Sequence, residues 1–154
     1  MRITITDSRV RWDRIIIHHS ATKDGETVDW QAIRRYHVQE KKWDDIGYHF
    51  GLEYINGYYE LLIGRPLIQT GAHTIGQNHC GIGICVVGNY DLIEPCTMQY
   101  ELLATLCKDL CWRFTISPAN IYAHNQFANK TCPGNMFDME KLKTITAKGM
   151  TIEL

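Results

Sequence analysis

Three residues in one polar stretch could do chemistry together: His124, Lys130 and Cys132, within Y-A-H-N-Q-F-A-N-K-T-C-P-G-N-M-F-D at residues 122–138. Pro133 biases the residue before it toward extended backbone, and extended chain points residues i and i+2 to the same side. Lys130 and Cys132 are therefore expected to face one way. An ammonium beside a thiol favours the thiolate, the form that attacks a carbonyl or binds a metal. His124, eight positions earlier at the end of an expected strand, reaches the same spot if the loop folds back. A hydrolytic zinc site takes three protein ligands and leaves a fourth position open. His124 and Cys132 supply two, and the third is best sought among the other histidines. A strand terminus fixes a ring better than a loop does, which favours His18 over His49, His73 or His79, although spacing alone leaves the choice open.

The elements that must position these groups are legible in outline. Residues 14–20, R-I-I-I-H-H-S, read as a buried strand ending in histidines. Its neighbours His18 and His19 point to opposite faces, so only one of them can serve a given metal. Thr27 reads as the N-cap of a helix running to about Glu40, with Asp29 in its first turn and Trp30, Ile33 and His37 at helical spacing. Residues 47–54 and 57–63 are strand-like and joined by Asn56-Gly57, a strong hairpin signal, with Tyr48 at the first strand's mouth. The loop at 64–78 is where a substrate groove would be lined, and 81–87 forms another buried strand. Apolar residues from Leu102 to Phe114 recur on one face of a helix spanning 97–114. After a turn at Ser117-Pro118 come a strand at 121–123, the polar stretch, and a last helix from an Asp138 cap to about Ala147. Strands interleaved with helices predict an α/β fold with a single mixed sheet flanked by helices and the candidate zinc site at one edge of the sheet.

At 154 residues and 45% hydrophobic content the chain is expected to form one domain, residues 1–154, with its own core. A net charge of -1 argues against a broad grip on nucleic acid or acidic membranes. No apolar run suits a secretory signal or a membrane span, so the chain is expected to be cytoplasmic as made. A monomer is the expected state. The six cysteines lack the spacing of a disulfide scaffold or a zinc ribbon. Cys107 and Cys111, at i,i+4 on the long helix, read as core residues, as does Cys85.

Four blocks carry a resemblance: I-I-I-H-H-S-A-T-K at 15–23, W-D-D-I-G-Y-H-F at 43–50, G-I-G-I-C-V-V-G-N at 81–89 and A-H-N-Q-F-A-N-K-T-C-P-G at 123–134. Together and in this order they resemble the type 2 N-acetylmuramoyl-L-alanine amidases, the zinc family that includes amidase-type phage lysozymes and peptidoglycan recognition proteins. The resemblance implies zinc on His18, His124 and Cys132, with Tyr48 and Lys130 catalytic. It leaves His19 variable and His49 turned into the packing. It also implies peptidoglycan as substrate and action on the cell wall after release, in the manner of a phage or prophage endolysin. Cytosolic recycling amidases of the superfamily carry Asp where Cys132 stands. His73, Asn78 and His79 fall in the groove-lining loop and are candidates for substrate contact. Rival readings are a non-catalytic peptidoglycan-binding module, a protein acting by inhibiting a partner, and a metal-free Cys132-His124 thiol hydrolase.

Overall fold

Three consecutive isoleucines, Ile15, Ile16 and Ile17, leave a strand no solvated face, and all three are completely buried. In the computed structural model, which describes residues 10–22 and 29–150, they form the middle of β1 (Arg14–His19). After it come α1 (Trp30–Arg35), β2 (Phe50–Ile55), β3 (Tyr58–Ile63), β4 (Gly81–Val86), α2 (Thr97–Phe114), β5 (Ile121–Ala123) and α3 (Met139–Ala147). The strands make one mixed sheet in the order β3-β2-β4-β1-β5. The β2–β3 hairpin is antiparallel, and every other neighbouring pair is parallel. Both hairpin-turn residues, Asn56 and Gly57, have positive φ, 51° and 90°, as a two-residue turn matched to strand twist requires.

Alternation along the strands divides the core in two. Ile15, Ile17, Ile82 and Ile84 pack with Leu103, Cys107, Leu110 and Cys111 of α2. Cys85 and Val87 point the other way, onto Trp30 and Ile33 of α1 and onto Ile46, with Tyr48 against the same cluster. His18 shares the parity of Ile16 and pairs with Cys85 across the sheet. It therefore belongs to the α1 face, and His19 to the α2 face. Among the described residues no helix is long and apolar enough to cross a membrane.

The first helix departs from expectation. Thr27 lies outside the described residues, and Asp29 is itself the N-cap, its carboxylate accepting the Ala32 N–H at 2.7 Å. Glu53 accepts the Trp30 N–H at 3.1 Å. Beyond Arg35 the turns widen into a π-helical stretch, Tyr36–Glu40. Such a stretch rotates side chains away from α-helical register, and here it contains His37, whose Nδ1 accepts the Gly47 N–H at 3.0 Å. The long helix spans 97–114 as predicted, and Asp138 caps α3 by accepting the Lys141 N–H at 2.9 Å.

Candidate metal centre

Parallel register brings the strand-end histidines together. Ile17 pairs with Ala123 at the end of β5, so His18 and His124, each one residue further along the chain, are side by side with ring centroids 4.4 Å apart. The loop after β5 returns to the same point: the Asn125 N–H donates to the Cys132 carbonyl at 2.8 Å. The Cys132 Sγ then lies 3.7 Å from His18 Nδ1 and accepts the backbone N–H of His19 at 3.4 Å. One donor atom from each of His18, His124 and Cys132 lies within 4.8 Å of the other two, and all three residues are buried. Zn–N bonds of ~2.1 Å and a Zn–S bond of ~2.3 Å in tetrahedral geometry space ligands ~3.3–3.7 Å apart. The 3.7 Å between His18 Nδ1 and Cys132 Sγ lies in that range, and two imidazoles with one thiol are a donor set that suits zinc.

Lys130 does not prevail over burial at the sulfur. Desolvation pushes the Cys132 thiol up to about 11, against smaller downward pulls from the His19 N–H and the Lys130 ammonium. Without a metal, burial therefore favours the neutral thiol at pH 7. The imidazoles behave oppositely. Burial holds His18 well below its ordinary value, with His73 and His124 adding to the effect, and burial followed by Lys130 lowers His124. Metal binding must therefore displace the thiol proton but none from the rings. Between pH 7 and 9, zinc affinity measured by chelator competition should rise about tenfold per pH unit, the slope for one proton released below the thiol's pKa. A slope near zero would mean that the thiolate is already formed, and a slope near two that an imidazole titrates alongside it.

These groups line a cleft of about 650 Å³, together with Tyr48, Lys130, His37, His73 and Trp43. Tyr48 precedes β2 and sets its ring 5.1 Å from that of His18. Burial, with Cys85 and Cys132 contributing, raises the Tyr48 phenol well above its usual range, so it keeps its proton. Lys130 is exposed at the rim. Of the loop histidines, His73 lines the cleft, while His79 is exposed and does not. His49 is fully buried, its ring 4.8 Å from Trp12. Asn78 accepts the backbone N–H groups of His73 and Thr74, both at 2.9 Å.

Sequence reasoning assigns no role in the site to two further residues of the cleft. His37 packs on Trp43 with centroids 4.7 Å apart and braces Gly47, one residue before Tyr48. Asp91 accepts the Thr131 hydroxyl at 2.7 Å and the Asn135 N–H at 2.8 Å, clamping the segment that carries Lys130 and Cys132. The available signal for Asp91 is its place just beyond the end of a buried parallel strand, where α/β sheets concentrate function.

The sequence profile of the N-acetylmuramoyl-L-alanine amidases matches residues 8–135. The endolysin of Escherichia phage T7 is 36% identical over 138 residues, covering 84% of this chain and 83% of that protein. Peptidoglycan-recognition protein SC2 of Drosophila melanogaster is 34% identical over 125 residues, 77% of this chain and 66% of that protein. Among solved structures, the N-acetylmuramoyl-L-alanine amidase LysC from Clostridium intestinale URNW superposes with a TM-score of 0.76 at 25% identity, covering 90% of this chain and 87% of that one.

Proposed function

This chain belongs to the N-acetylmuramoyl-L-alanine amidase family, and from that premise we propose that it hydrolyses the amide joining N-acetylmuramic acid to the first L-alanine of peptidoglycan stem peptides. We read it as a single zinc-dependent amidase domain of the endolysin kind, acting on the cell wall after release. The observation that carries this reading is the meeting of His18, His124 and Cys132 on the wall of a cleft that also holds Tyr48 and Lys130. These three residues would hold the zinc. Bound there, zinc would supply Lewis acidity, polarising a carbonyl and lowering the pKa of water from ~15.7 toward ~7.

The rest is the work of the chain's own groups. Tyr48, protonated at neutral pH, is a hydrogen-bond donor rather than a base, and it orients the attacking water against the scissile carbonyl. Lys130 brings a positive charge to the cleft rim and stabilises the oxyanion of the tetrahedral intermediate. Asp91 and His37 hold the segments that carry these two residues. A metal-free thiol hydrolase is less well supported, because burial raises the Cys132 thiol and so opposes the thiolate that such an attack requires.

Mass spectrometry of digested peptidoglycan tests which bond breaks. Intact stem peptides with a new free amino group on L-alanine, and glycan strands without new reducing ends, are expected. New reducing sugars would indicate a glycosidase, which needs a carboxylate pair ~5–9.5 Å apart across the sugar bond. Internally cut stem peptides would indicate a peptidase. Either product would overturn the reading.

A further inference from the structure

We propose that His73 is a positioning residue that fixes the tautomer of His18, turning the Nδ1 lone pair of His18 toward the metal position. The inference rests on the reading of His18 as a zinc ligand. The far end of a hydrogen-bonded chain sets the direction. His73 Nε2 lies 3.0 Å from the carbonyl oxygen of Gly81, which can only accept, so this nitrogen must carry the proton. A neutral imidazole has one N–H, which leaves His73 Nδ1 as an acceptor. That atom lies 3.0 Å from His18 Nε2. His18 therefore donates from Nε2, and its own Nδ1, the atom 3.7 Å from Cys132 Sγ, is left bare. Thr74 Oγ1, 3.0 Å from His73 Nδ1 and 3.3 Å from His18 Nε2, supports the junction from the side.

The chain holds His73 in place by two independent means. Asn78 Oδ1 binds the N–H groups of both His73 and Thr74. Gly83 and Gly71 leave room for the ring, since a Cβ at either position would lie 2.5 Å from His73 Cδ2. A histidine that ligates zinc through one nitrogen usually donates its other N–H to a carboxylate, a carbonyl or water, and loss of that partner typically weakens metal binding ~10–100-fold. Here a second, neutral histidine takes the carboxylate's place, relaying orientation from the Gly81 backbone without adding charge beside the metal position.

Two measurements test this. Long-range 1H–15N spectra of the metal-free wild-type chain should show both His18 and His73 as Nε2–H tautomers, and an Nδ1–H form of His18 would overturn the inference without any variant. His73→Phe keeps a ring but removes the acceptor. It should weaken zinc binding ~10–100-fold in chelator competition and let His18 populate both tautomers, whereas His73→Gln, which offers an amide oxygen, should recover part of the loss. If wild type and His73→Phe bind zinc equally tightly, the inference fails and the metal reading stands. If the wild type binds no zinc, the metal reading itself fails.

Discussion

Replacing Cys132 by Ser should strip the chain of both zinc and activity. Structural zinc sites with four protein ligands bind with ~10–16 kcal/mol, so one ligand is worth ~2.5–4 kcal/mol, or ~100- to 1,000-fold in affinity. The loss should sit at the upper end, because only two imidazoles would remain and a serine hydroxyl does not ionise near neutral pH. Cys132 lies in a loop that backbone hydrogen bonds from Asn125 and Gly134 and the Asp91 clamp hold independently of its sulfur. The variant should therefore keep its far-UV circular dichroism. Metal analysis after gel filtration, together with a turbidity assay on purified cell walls, checks both effects. Full zinc occupancy in Cys132→Ser would remove the thiol from the ligand set.

Lys130→Ala should lower the rate ~100- to 1,000-fold, the usual cost of a lost oxyanion-stabilising group, while zinc affinity changes little. The lysine is exposed and is assigned to the transition state only, so the loss should appear in kcat rather than KM. Tyr48→Phe should act in the same direction, since the ring packing near His18 survives and only the phenol donor is removed. Near-wild-type turnover in either variant, with zinc content equal to wild type, would take that residue out of the mechanism.

Those parts of the architecture that local sequence makes are legible in the residues themselves. The α2 span, the Asn56-Gly57 turn, the Asp138 cap and the strand at Ile121–Ala123 each depend on neighbours within a few residues, so pattern and turn chemistry identify them. The meeting of His18, His124 and Cys132 is accessible from sequence chiefly through the resemblance, because three scattered residues acquire a common focus only once β1 and β5 pair in parallel. What stays hidden depends on distant contacts. The His73–His18 bond joins residues 55 apart in sequence, and the Asp91–Thr131 clamp joins residues 40 apart. The protonation of Cys132 runs against the sequence expectation for the same reason. Lys130 is visible two positions away along the chain, whereas the burial that outweighs both it and the His19 N–H comes from the surrounding fold.

Metal-dependent cleavage of one amide is the centre of the proposed reaction, and removing and restoring the metal tests it most directly. The chain is stripped with a strong chelator and dialysed, then titrated with zinc while release of free L-alanine amino groups from purified peptidoglycan is followed. The stripped chain should be inactive, and activity should return linearly, reaching a plateau at one zinc per chain. A stripped chain, shown by elemental analysis to hold no metal, that still cleaves the same amide at the original rate would contradict a zinc-dependent mechanism.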